Sequence, residues 1–134
     1  MKKIMEFALT LLGIYLVILL LLYVFQRSVM YFPDTALAPP ETYGLSADSV
    51  SLTTADNLTL TAWYIPAKDN NPTIVYFHGK GGHLGYRAEK FHAFANAGFG
   101  VFATSYRGYG TSEGSPSEQG LYADARAAIS HMLT

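Results

Sequence analysis

Residues 7–25, FALTLLGIYLVILLLLYVF, form a run of nineteen with no charge and only one strongly polar side chain, Thr10. At about 1.5 Å rise per residue, such a run crosses the roughly 30 Å hydrocarbon core of a bilayer as a helix. A soluble helix keeps a polar face, and this one has none. The run is too long for the core of a signal peptide. The small-residue stretch Ala36-Leu37-Ala38 is distant and is followed by Pro39, which opposes cleavage there. Residues 1–28 are therefore predicted to be a single-pass membrane anchor, with the lipid bilayer as partner through residues 7–25. Lys2, Lys3 and the amino terminus precede the run, while only Arg27 lies close behind it. That asymmetry predicts a cytoplasmic N-terminus and a domain on the opposite side.

A connector is expected at 29–45, where YFPDTALAPPETYG is rich in proline and turn formers. Its aromatics, with Tyr23 and Phe25 before them, suit two roles. Tyr31 and Phe32 fit the bilayer interface, and they fit equally the first packing onto a domain. The rest of the 134-residue chain has room for one domain at most, at 46–134. Net charge is -1, which leaves no electrostatic footprint for nucleic acid. Cysteine is absent, excluding disulfides, thiolate zinc sites and a cysteine nucleophile.

Beyond the connector the periodicity changes. Residues 49–53 and 58–64 alternate in polarity around the turn former TADN, which predicts an antiparallel hairpin. TIVYF at 73–77 is a continuous β-branched and aromatic run, as expected of a strand buried on both faces. Residues 86–97 carry a helical pattern with Phe91, Phe94 and Ala95 on one side and Gly98 as the stop. FGVFATSY reads as a second buried strand. A last helix is predicted from SPSE, with Ser115 as N-cap, Pro116 at the first position and Glu118 closing a capping box. Its stripe is Leu121, Ala125, Ala128 and Met132, with Ile129 alongside; Asp124 is assigned to a solvated face. The order β-β-β-α-β-α after the anchor implies an α/β sheet covered by helices.

The glycine-rich stretch HGKGGHLGYR, His78 to Arg87, follows the 73–77 strand directly. Such a loop presents backbone N–H groups to an anion. A P-loop needs Gly-x4-Gly-Lys-Ser/Thr, but Gly79-Lys80 is followed by Gly81 and preceded at the required distance by Ile74. No G-x-G-x-x-G occurs at the strand end, so no dinucleotide fingerprint is present. His78, His83 and His92 do not fall at i, i+4 on one helix face, and no H-E-x-x-H occurs, so no metal site is expected. The spacing fits best an oxyanion-binding loop.

YFHGKGGHLGYR, followed by GFGVFATSYRGYGTSEGSPSEQGLYADARAA, resembles the α/β-hydrolase superfamily, in its membrane-anchored serine aminopeptidase or alpha/beta-hydrolase-domain branch. The resemblance implies the first, incomplete half of an α/β-hydrolase sheet and a serine hydrolase acting on esters, thioesters or amides, without a cofactor. It implies that Lys80, the residue after the His-Gly pair, supplies one oxyanion-hole N–H from a loop of His78, Gly79, Gly81 and Gly82. Relatives often have Asn there; because the backbone donates, a Lys side chain leaves the donor intact. A second loop, Arg107, Gly108, Tyr109, Gly110 and Ser112, is implied at the site rim. In the family sheet the 73–77 strand pairs on its far side with the strand bearing the nucleophile.

Gly110-Thr111-Ser112-Glu113-Gly114 matches G-x-S-x-G literally. The mechanism, however, needs the serine on a sharp turn directly between strand and helix, and Ser112 is separated from both. The family's nucleophile elbow would begin beyond Thr134, with the acid and the histidine later still, and none of the four histidines follows it. The chain is thus expected to be the N-terminal portion of a membrane-anchored serine hydrolase, inactive alone, engaging an acyl substrate only when a C-terminal half completes it. Two other readings are a short non-catalytic membrane-anchored binding or regulatory protein, and an atypical site in which Ser112 attacks. An unpartnered 73–77 edge also predicts that the soluble part alone aggregates or is molten.

Overall fold

A computed structural model describes residues 1–133, in two units: residues 1–30, and residue 31 onward. The first is a single helix, α1 (Lys2–Met30). Its mean hydropathy reaches 2.7, and none of its residues is buried. Among the described residues it is the one helix long and apolar enough to cross a membrane.

The second unit opens with a two-residue strand, β1 (Phe32–Pro33), and a 3-10 turn (Pro40–Tyr43). The predicted hairpin follows as β2 (Asp48–Thr53) and β3 (Thr59–Ile65), paired antiparallel. Its turn is built by side chains. Thr54 Oγ1 donates to Asp56 at 2.7 Å and accepts the Leu58 N–H at 3.0 Å, while Asn57 takes a left-handed φ of 60°. Then come β4 (Thr73–Phe77), β5 (Gly81–Gly82), α2 (Ala88–Asn96), β6 (Gly100–Thr104) and α3 (Glu118–Leu133). The main sheet has the order β2-β3-β6-β4, antiparallel except for the parallel β4–β6 pair, and β1 pairs with β5 in a separate small sheet.

Strand alternation divides the core into two faces. On β6, Val101 and Ala103 join Trp63, Leu84, Ala88 and Phe91, the face covered by α2. Phe102 points the other way, to Leu52, Leu60, Ala62 and Ala128 of α3. One strand thus serves two helices, and all five residues of β6 are buried. β4 is different. It ends the described sheet, its residues are half-buried, and Val75 is 36% exposed. The sequence predicts a strand buried on both faces; with one neighbour, the hydrophobic run keeps its conformation but not its burial.

The helix ends show where local chemistry decided. A 3-10 turn (Leu84–Arg87) leads into α2, and His83 caps it by accepting the Gly85 N–H on Nδ1 at 3.1 Å. Gly98, at φ 91°, stops α2 as predicted. α3 does not begin as predicted. Ser117, not Ser115, accepts the Gly120 N–H at 3.2 Å, which puts Glu118 at the first helical position and removes the capping box. The helix keeps part of the predicted stripe inward, with Ala128 buried and Met132 packed against the same cluster, and adds two residues to it. Gly120, Asp124 and Ala128 are buried, whereas Ile129 is 46% exposed.

Candidate active-site loops

The glycine-rich loop leaves β4 at His78, whose ring is buried against Tyr106 and Tyr109. His78 Nε2 accepts the Tyr106 N–H at 3.1 Å, so the hydrogen sits on Nδ1, which donates to the Gly79 carbonyl at 2.7 Å. Burial holds the ring's pKa below its ordinary value, reinforced by the charges of Arg87 and His83 and opposed by the bond to Gly79. A neutral ring is what this geometry needs, because a proton on Nε2 would remove the acceptor for Tyr106.

The bond to Gly79 has a consequence one atom further on. In a planar trans peptide the C=O and N–H point in opposite directions. With the Gly79 carbonyl turned toward the His78 ring, the Lys80 N–H is turned away from it. Among the described residues no group accepts that N–H. The following peptide is held too: the Lys80 carbonyl accepts the Phe32 N–H at 2.9 Å and the Tyr109 hydroxyl at 2.6 Å. Burial pushes the Tyr109 hydroxyl up from its ordinary pKa, which keeps it a donor. Two successive peptide planes are therefore fixed by groups from β1, β4 and the second loop.

Asp34 completes this frame. Its carboxylate accepts the Ala36 N–H at 2.9 Å and the Tyr86 hydroxyl at 2.8 Å, and lies 3.7 Å from His83 Nε2. The Ala36 and Tyr86 bonds, in that order, hold it below the usual carboxylate range. Its own carbonyl accepts the Gly110 N–H at 2.8 Å, joining the two loops. The local signal for Asp34 is an Asp two residues before an amide in a turn-rich stretch, an Asx-type turn. Its other partners, His83, Tyr86 and Gly110, lie far along the chain and leave no local signal.

In the second loop, Arg107 is buried and clamped. Asp124 accepts its N–H at 2.9 Å, its Nε at 2.9 Å and its Nη2 at 2.8 Å. Asp56, in the hairpin turn, takes Nη1 at 2.8 Å and Nη2 at 3.0 Å. Asp124 is fully buried rather than on the solvated face predicted for it, because the guanidinium supplies the compensation that a buried carboxylate requires. Gly120 one turn earlier makes room, since a Cβ there would lie 2.6 Å from Arg107 Cδ. Gly120, Asp124 and Ala128, spaced by four, are a legible helix face once the charge is allowed inside. Gly108 and Gly110 turn the chain with φ of 78° and 55°.

Ser112 stands in the middle of this loop with its hydroxyl fully engaged. It donates to the Ser105 carbonyl at 2.8 Å and accepts the Thr61 N–H at 2.9 Å. That supplies the rung that β3 needs where β6 has ended. Its two partners are backbone groups, and among the described residues no histidine hydrogen-bonds to it. Among the described residues no group of His, Cys, Asp or Glu side chains is arranged to hold a metal.

A mixed sheet of order β2-β3-β6-β4, helices on both faces and a glycine loop after β4 are the fold of known α/β-hydrolases. The esterase Pf2001 of Pyrococcus furiosus superposes with a TM-score of 0.60 at 21% identity, over 77% of this chain and 42% of the esterase. An alpha-beta hydrolase of Vibrio vulnificus gives 0.57 at 26% identity, over 69% and 32%. The profile of the family Serine aminopeptidase, S33 matches residues 68–134, half of the sequence, and the chain belongs to this α/β-hydrolase family. Protein bem46 of Schizosaccharomyces pombe is 33% identical over 132 residues, covering 91% of this chain and 44% of bem46. The uncharacterized membrane protein YNL320W of Saccharomyces cerevisiae is 37% identical over 120 residues, 84% and 42% respectively. The chain thus spans less than half the length of these relatives.

Proposed function

We propose that the chain is the N-terminal portion of a membrane-anchored serine hydrolase acting on esters, thioesters or amides, and that it carries one side of an oxyanion hole without a triad. The observation that carries this reading is the Lys80 amide, turned away from the His78 ring and without an acceptor among the described residues, on a loop braced at two peptide planes. When a nucleophile adds to an acyl carbonyl, its oxygen becomes negative, and a preorganised N–H at that point raises the rate by about 10²–10³. A donor without an attacking group gives no covalent turnover. The unpaired outer edge of β4 is where the next strand of the family sheet, with the serine, would pair. Arg107, Gly108, Tyr109, Gly110 and Ser112 then shape the rim, and Tyr109 does so by direct contact with the Lys80 carbonyl.

In this reading α1 is the anchor, residues 7–25 contact the bilayer, and the lysines before them keep the N-terminus cytoplasmic. The acyl substrate is met only with a C-terminal half present. The test is fluorophosphonate labelling of the purified full chain. No covalent label is expected, with or without Ser112→Ala; labelling that Ser112→Ala abolishes would overturn the proposal. For the anchor, the chain is expected to stay in membranes through an alkaline carbonate wash, and its release would refute that part.

A further inference from the structure

The glycine loop is tied by hydrogen bonds to the very start of the second unit. Besides the Phe32 N–H on the Lys80 carbonyl, the Asp34 N–H reaches the Gly82 carbonyl at 3.4 Å, so β1 and β5 form a parallel ribbon. Phe32 is 54% exposed and Tyr86 62% exposed, and each approaches one of the two glycines of β5. A Cβ on Gly81 would touch Phe32, and one on Gly82 would collide with the Tyr86 ring. Lys80 extends its ammonium over the Phe32 ring, 5.5 Å from the centroid. An exposed Phe, an exposed Tyr and a Lys around one loop have the composition of the bilayer–water boundary, where aromatic rings bury their faces and amines meet phosphates.

Chain connectivity supplies the partner. Phe32 is two residues beyond Met30, the last residue of α1. Two residues reach at most about 7 Å. At about 1.5 Å per residue the 29 residues of α1 extend about 44 Å, the thickness of a bilayer with its headgroups. If α1 spans, its end lies at headgroup level, and the two-residue link tethers Phe32 within about 7 Å of that level. We propose that Phe32, Lys80 and Tyr86 form a membrane-docking surface that holds the glycine loop against the lipid headgroups. This inference rests on α1 being a membrane anchor. The occupant is the lipid interface of the chain's own bilayer, so the Lys80 amide faces acyl groups that arrive along the membrane.

The sequence has no cysteine, which allows a single reporter to be placed. Gly79→Cys suits the loop, because nothing lies within 4 Å of a Cβ there and the patch residues stay intact. Asn70→Cys, exposed before β4, is the control, about 17 Å away along the five residues of that strand. Each full-length variant is labelled with an environment-sensitive fluorophore and reconstituted in phosphatidylcholine vesicles containing headgroup-quencher lipid. Quenching at position 79 is expected to exceed that at position 70 by about two-fold or more, given an interfacial band only several ångströms deep. Phe32→Ser with Tyr86→Ser should bring position 79 down toward the control. Equal quenching at both positions, in chains that still float with the vesicles, overturns docking while leaving the anchor standing. Crosslinking between unlabelled Gly79→Cys chains, without lipid quenching of the labelled ones, overturns it in favour of self-contact. Chains that do not float at all overturn both.

Discussion

Asp124→Ala removes a carboxylate that is fully buried and accepts three N–H groups of one arginine, whose side chain is 8% exposed. Breaking a buried ion pair from one side costs about 3–5 kcal/mol, because the partner charge stays behind without compensation. Asp56 still faces the guanidinium, which places the expected loss near the lower end, about 3 kcal/mol. For a domain whose total stability is of order 5–15 kcal/mol this is a large fraction. With a urea slope of about 1–2 kcal/mol per M, the unfolding midpoint should fall by about 2 M. Trp63 is the sole tryptophan and is 2% exposed at the centre of one core face, so its emission reports unfolding of the intact chain in detergent micelles. Asp56→Ala is the internal comparison: it removes two bonds to the same guanidinium, but from a side chain that is 50% exposed. Water can replace Asp56 and cannot replace Asp124. The midpoint shift for Asp124→Ala must therefore be clearly the larger. Equal shifts, or a larger one for Asp56→Ala, would refute the assignment of Arg107 and Asp124 as the buried brace of the second loop.

Acid should act in two windows. His78 has a folded pKa below its ordinary 6.5, so the unfolded chain binds the proton first; the stability it contributes is complete above pH 6.5 and declines as pH falls below it. Asp56 is depressed from 3.8 by Arg107 first and Thr54 second, so its contribution is complete above pH 3.8 and is lost as pH falls further. Asp56→Asn should make the lower limb shallower, leaving the share of Asp34, and should spare the upper one, read by the Trp63 midpoint against pH; an unchanged lower limb would count against the pair. Gly120→Ala should destabilise the chain, although alanine ordinarily gains about 1 kcal/mol over glycine within a helix, because the new Cβ meets the arginine stem; a raised midpoint would show that Arg107 gives way. Residues 31–134 made without α1 should self-associate as concentration rises, and Val75→Lys on the open β4 edge should reduce this in light scattering. A sharp two-state melt of a monomeric 31–134 would contradict it. Probing source membranes through the N-terminal region separates a functional short chain, at 14.7 kDa, from the front of a complete hydrolase at about twice that mass.

Several features of this protein were decided by local sequence and needed no tertiary information. The uncharged run at 7–25 dictates a helix without a polar face. The alternation around TADN dictates the β2–β3 hairpin, since period-two burial and a turn rich in Asp and Asn leave few alternatives. TIVYF and GVFAT are strands because branched and aromatic side chains crowd a helix, and Gly98 ends α2 because it takes φ 91° freely. The glycine loop after β4, and the misfit of Ser112 with a nucleophile's turn, follow from spacing alone.

What tertiary structure decided was the fate of groups with more than one satisfactory local arrangement. Ser115 and Ser117 are both competent caps by sequence, and in the structure Ser117 takes the role. Asp124 would be stable in water, yet Arg107 holds it inside, with Gly120 against the arginine stem and Ile129 left exposed. Burial of β4 depends on what lies beside it, which no property of its own five residues determines. The direction of the Lys80 amide is likewise invisible in HGKGG: the His78 ring, its tautomer fixed by the distant Tyr106 N–H, holds the Gly79 carbonyl, while Tyr109 and Phe32 hold the peptide that follows. Hydrophobic periodicity is written within each segment, whereas the pairing of polar groups is a property of two segments at once.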